Sequence, residues 1–151
     1  MEKKFLIIAN WKANTPKFEI QNFQFEMNRV EIAIAAAFPF IDKIPQGLTR
    51  AAQDVSMFES GAYTGEVSAE MLKSLGVKYC LVGHSERRKY FGETNETVQK
   101  KVAQLEKNNI IPLVCARSFA DIVPAGFIMY EPEEAISANG EYHPATNVKE
   151  I

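Results

Sequence analysis

Six polar residues of this 151-residue chain stand directly behind or at the ends of apolar runs, and their types suit proton chemistry. Asn10 and Lys12 follow FLIIA, His84, Ser85 and Glu86 follow YCLVG, and Glu131 follows GFIMY. Together they supply an amide, a cation, an imidazole and a carboxylate base candidate, the inventory of an acid/base site. Taken singly, each has an ordinary reading. A lysine behind a strand is usually solvated, and a lone histidine is more often a satisfied structural residue. Glu131 before Pro132 suits a loop carboxylate, and GHSERR suits a capped turn with a basic face. Only their collection at one rim makes them a candidate site. No metal-ligand spacing joins His84 to His143 in the tail, and the chain carries neither a phosphate-binding P-loop nor a dinucleotide fingerprint.

The elements that would form such a rim can be read from hydrophobic patterning. Six apolar runs read as strands: 5–10 (FLIIAN), 31–38 (EIAIAAAF, ended by Pro39), 50–57 (RAAQDVSM, the weakest), 78–84 (KYCLVGH), 110–115 (IIPLVC) and 126–130 (GFIMY). Continuous apolar runs, rather than in-out alternation, indicate strands covered on both faces of a parallel sheet. Helical stretches fall between them. Thr15 and Pro16 read as N-cap and first helical residue ahead of Phe18, Ile20, Phe23 and Met27. Residues 67–75 place Val67, Met71, Leu72 and Leu75 on one face, with Gly76 at the end. Thr94 caps a helix in which Val98, Val102 and Leu105 repeat at i, i+4, i+7. The glycines of 61–66 (GAYTGE) mark a loop. A very short connection, 116–124, joins the last two strands, and a short helix is expected near 145–151. The alternation predicts an α/β fold. In such folds, sites form at the C-terminal ends of the strands, where all six residues stand.

Composition narrows the field further. Lys plus Arg number 17 against 19 Asp plus Glu, a net charge of −2. That balance argues against a nucleic-acid or polybasic membrane surface. Cys80 and Cys115 each lie in an apolar run, where buried free thiols are expected. The apolar stretch before Asn10 is too short for a signal peptide, and no run has the eighteen or so apolar residues that cross a bilayer. A cytoplasmic protein with a single domain over residues 1–151 is expected.

In this order the motifs resemble those of a known family, the triosephosphate isomerases. Asn10-Trp11-Lys12-Ala13-Asn14 resembles the family's strand-one motif, and residues 82–88 (VGHSERR) resemble its catalytic-histidine motif. Tyr130-Glu131-Pro132 resembles its catalytic-glutamate motif. The GAYTGE loop, with residues 67–71 behind it, resembles its interface-forming loop and the helix beyond. The resemblance covers most of residues 5–132. It implies a (β/α)8 barrel, here an incomplete one of about six βα units. It implies isomerisation of a small phosphorylated triose, with Glu131 as general base, His84 as electrophile, Lys12 as the cation favouring an enediolate, and Asn10 as a nearby donor. A Glu base beside a neutral His is the arrangement this family exemplifies. Ser85 and Glu86 would stand behind these groups, and Asn10, Lys12 and Ser137 would touch substrate. Tyr63, Thr64 and Gly65 would form the interface of a homodimer or higher homo-oligomer. No metal or cofactor is implied, because the substrate carbonyl is itself the electron sink.

The sequence also departs from that pattern. A (β/α)8 barrel usually takes roughly 200 residues or more, and strands seven and eight, with the Gly-rich phosphate loop after them, have no counterpart in these 151 residues. Behind YEP, Glu133 and Glu134 replace an apolar pair, and Ser137 and Asn139 stand where a glycine and a small hydroxyl are usual. Six strands would leave two open edges. Self-association, a second polypeptide or a folded-back tail could cover them, and self-association is preferred. The alternative to an isomerase is a weak or silent barrel fragment that serves as an assembly or binding subunit.

Overall fold

Runs of β-branched and small apolar residues build the sheet that the alternation predicts. The computed structural model describes residues 5–16 and 29–132. Six strands, β1 (Phe5–Asn10), β2 (Val30–Ala36), β3 (Thr49–Ala52), β4 (Tyr79–Val82), β5 (Ile111–Ala116) and β6 (Phe127–Tyr130), lie in sequence order and are all parallel. This is the incomplete (β/α) barrel that the resemblance implies. Three α-helices are described: α1 (Ala69–Ser74), α2 (Ser85–Phe91) and α3 (Asn95–Lys107). Short 3-10 turns occupy Phe38–Lys43 and Phe119–Asp121. Among the described residues, no helix is long and apolar enough to cross a membrane.

The two faces of the sheet bury different sets. One carries Ala33, Ala35, Ala51, Leu81, Leu113 and Cys115, with Leu6, Ile8 and Met129 beside them. The other carries Ile34, Ala36, Cys80, Val82 and Val114 against Leu72 of α1 and Val98, Val102 and Leu105 of α3. Each large side chain buried this way contributes about 1.5–3 kcal/mol. Thr94 caps α3 as the spacing predicts, its hydroxyl accepting from the Thr97 N–H. Both cysteines are free and buried, as expected.

Several boundaries differ from the expectations. The third strand stops at Ala52 rather than 57, because the Gln53 side chain turns aside to donate to the Lys12 and Ala35 carbonyls. The second stops at Ala36, and Pro39 falls inside a 3-10 turn rather than simply ending a strand. The fourth occupies only Tyr79–Val82. The helix expected over 67–75 starts after Ser68, whose hydroxyl accepts from the Met71 N–H. Starting there turns Ala69 and Leu72 inward and leaves Met71 half exposed, not on the buried face. The Val67 carbonyl instead accepts from the Ser56 N–H. The helix expected beyond Pro16, from residue 17 to 28, and the helix near 145–151 lie outside the described residues.

Candidate functional site

Strand parity aims the rim residues. Side chains two apart share a face, so Asn10 continues the face of Leu6 and Ile8, and Glu131 continues that of Met129. The Glu131 N–H donates to the Ala116 carbonyl at 2.9 Å, extending the β5–β6 ladder one residue beyond β6. His84 enters from β4, where it caps α2.

The Lys12 backbone is left-handed, with φ 50°. A non-glycine residue there costs about 1 kcal/mol or more and persists only where its surroundings hold it. Asn10 Oδ1 accepts from the Lys12 N–H at 3.0 Å, and Gln53 Nε2 donates to the Lys12 carbonyl at 2.9 Å. So held, Lys12 Nζ lies 2.7 Å from Glu86 Oε1.

At the start of α2, His84 Nδ1 accepts from the Glu86 N–H at 3.3 Å. That bond leaves the ring proton on Nε2, which lies 3.1 Å from Glu131 Oε1. Glu86 Oε2 also stands 3.5 Å from Nδ1. The other Glu131 oxygen accepts from the Ser85 N–H at 3.1 Å. Burial pushes the Glu131 carboxyl up, but the bonds from His84 and Ser85 and the Lys12 charge outweigh it and hold it below its ordinary value. The resting carboxylate is therefore ionised and engaged by two donors. Beside it the Cys115 thiol is pushed far up by burial and by the Glu131 charge, so it stays protonated and inert. A cavity of about 320 Å³ opens over Asn10, Lys12, His84 and Glu86, with Phe38 and Phe91 at its walls.

The structure thus brings together Asn10, Lys12, His84, Ser85, Glu86 and Glu131. Ser137 and the altered segment around it lie outside the described residues. Tyr63, Thr64 and Gly65 share no wall of that cavity. They are exposed on the loop before α1, where Tyr63 stacks on Phe58 with ring centroids 4.2 Å apart.

Strand-end reading misses a second group. Beneath α2, Lys101 Nζ lies 2.7 Å from Asp54 Oδ1 and closer still to Glu93. Arg87 Nε stands 2.8 Å from Asp54 Oδ2, at ion-pair distance but without hydrogen-bond alignment. Burial raises the Asp54 carboxyl against the pull of Lys101 and Arg87. One signal was in the sequence. Lys101 falls at i+3 from Val98 in the apolar stripe of α3, and a lysine there requires a buried carboxylate. Glu93 and Asp54 carry no such mark.

The sequence pattern of the family described as triosephosphate isomerase matches residues 5–126, which include every rim residue except Glu131. A triosephosphate isomerase of Mycoplasma mobile is 43% identical over 129 residues, covering 75% of this chain and 53% of its own length. That of Alkaliphilus oremlandii is 42% identical over 124 residues (75% and 50%). That of Mycobacteroides abscessus is 39% identical over 142 residues (83% and 54%). The chain spans about half the length of the curated relatives it matches. With six parallel strands in sequence order and these matches, the chain belongs to the triosephosphate isomerase family.

Proposed function

We propose that this chain interconverts dihydroxyacetone phosphate and D-glyceraldehyde 3-phosphate through an enediolate. The observation that carries the reading is the 3.1 Å approach of His84 Nε2 to Glu131 Oε1 beside Lys12 and an open cavity. Relatives bearing the isomerase name support it. Substrate entering the cavity would draw Glu131 off its two resting donors. Glu131 then takes the proton from the carbon beside the carbonyl. The freed His84 Nε2–H donates to the oxygen on which charge develops. Lys12 offsets that charge and the phosphate, and Asn10 both braces Lys12 and lines the pocket. Glu131 returns its proton to the neighbouring carbon, while His84 gives its Nε2 proton to the former carbonyl oxygen and regains one from the adjacent hydroxyl, so protons balance and no electron acceptor beyond the carbonyl is called for.

Glu131→Gln keeps the shape and removes the base. Conversion of glyceraldehyde 3-phosphate by purified protein should fall roughly 10³-fold in that variant, with an unchanged far-UV spectrum. Equal conversion by both proteins would refute Glu131 as base. Conversion by neither would favour the reading of a silent assembly subunit.

The same reading includes a second copy of this chain as partner, through the exposed Tyr63-Thr64-Gly65 loop, and a cytoplasmic location, which the two free thiols support. Thr64→Arg should lower the mass measured by light scattering at micromolar concentration. An unchanged assembly would remove this loop from the interface.

A further inference from the structure

We infer that Glu93 and Arg88 are positioning residues that grip the two peptides flanking Gly83 and so aim the His84 ring; the inference rests on the acid/base reading of His84 above. The Gly83 N–H donates to Glu93 Oε2 at 3.2 Å, and its carbonyl accepts from Arg88 Nε at 2.8 Å. Gly83 is left-handed, with φ 69°. A Cβ there would meet Arg88 Nη2 at 2.8 Å and Val98 Cγ2 at 3.1 Å, so arginine and glycine fit only as a pair.

Each grip is anchored in turn. Arg88 Nη1 donates to Asn95 Oδ1 at 2.8 Å, and Nη2 donates to the Asp121 carbonyl at 3.1 Å. Asp121 is itself held by Arg117 Nε at 2.7 Å. Glu93 is held by Lys101, which also reaches Asp54. The Arg88 and Glu93 side chains are only 6% and 3% exposed, and neither lines the cavity.

Burying such charges is a poor route to stability, since apolar side chains of similar volume often hold a fold as well. What apolar side chains cannot do is hold an N–H and a carbonyl on either side of a left-handed residue. That residue immediately precedes the imidazole. If the Gly83 peptides turn, His84 Nδ1 leaves the Glu86 N–H, and Nε2 leaves Glu131.

The test reads the ring directly. The chain has two histidines, so a His143→Asn background leaves His84 as the only ring in a ¹⁵N-histidine spectrum of the full chain. The expected parent spectrum shows a proton on Nε2 alone, sheltered from water. Arg88→Lys keeps a charge beside Asp121 but cannot serve Gly83, Asn95 and the Asp121 carbonyl together. Its ring proton should exchange roughly tenfold faster, the scale of one lost hydrogen bond. Glu93→Leu should do the same, while Glu93→Gln, which keeps an acceptor for the Gly83 N–H, should restore the parent spectrum. Asn95→Ala loosens Arg88 from its exposed end and should give a smaller change of the same sign, which decides the matter if the buried variants do not fold. Parent-like ring spectra in folded Arg88→Lys, Glu93→Leu or Asn95→Ala would overturn the inference. The readout does not depend on turnover. A parent protein without isomerase activity refutes the proposed function, whereas unaltered ring spectra with intact turnover refute the grip alone.

Discussion

The two ends of this sheet carry similar charged groups put to opposite uses. At the N-terminal end, Glu31 accepts from Lys78 through both oxygens (2.7 and 2.9 Å), from Thr49 at 2.8 Å and from Tyr79 at 3.0 Å. Every lone pair that matters is taken, and Lys78 also lies 5.0 Å over the Tyr79 ring. At the C-terminal end, Glu131 accepts from two donors that a substrate could displace, Lys12 faces Glu86 among the described residues, and a cavity opens beside Lys12, His84 and Glu86. A saturated cluster plugs the sheet, and an unsaturated one beside open space can exchange partners. Barrel folds divide labour between their two faces in this way.

The contrast can be broken by substitutions at either end. The largest effect expected is the loss of conversion in Glu131→Gln. Next is Lys12→Met, which removes the cation but keeps the stem. It should cut kcat/KM by roughly 100-fold or more, the worth of a charge interaction in a water-poor site. It should also leave urea stability nearly unchanged, since Lys12 and Glu86 are both about one-third exposed. An intact kcat/KM would move the phosphate-side cation elsewhere. Glu31→Leu should do the reverse and lower unfolding stability by about 1–2 kcal/mol, discounted for the partial exposure of Lys78, with turnover preserved. A variant as stable as the parent would mean that the N-terminal cluster is ornament rather than plug.

A smaller effect sharpens the comparison by pH. Glu131 is held below the ordinary 4.5, so its ionised form stabilises the fold fully above that value. This contribution is lost as pH falls through the depressed folded value. Glu131→Gln lacks it at every pH, so the stability gap between parent and variant should close as pH drops below the ordinary carboxylate range. Urea unfolding at neutral and acid pH measures the gap, and a constant gap would contradict the depressed carboxyl.

Much of this was legible in the sequence, for reasons that differ by residue. Strands β1, β5 and β6 were found nearly to the residue because apolar runs bounded by Asn, Pro or Gly admit little else. The expected third strand runs past β3 because Val55 and Met57 prolong the apolar pattern, whereas the Gln53 and Asp54 side chains leave the ladder for Lys12 and Lys101. Met71 leaves the apolar face expected of it because the helix phase depends on where Ser68 caps it. The rim residues were legible through strand ends and motifs, whereas Glu93 and Arg88 act through backbone groups of Gly83, which periodicity does not report.

The most direct test of the central claim, proton transfer between Glu131 and a triose carbon, is deuterium uptake. Dihydroxyacetone phosphate incubated with the protein in D₂O should gain deuterium at the carbon beside its carbonyl, followed by proton NMR, and Glu131→Gln should abolish that gain. Equal uptake with both proteins, or none with the parent, would contradict the account.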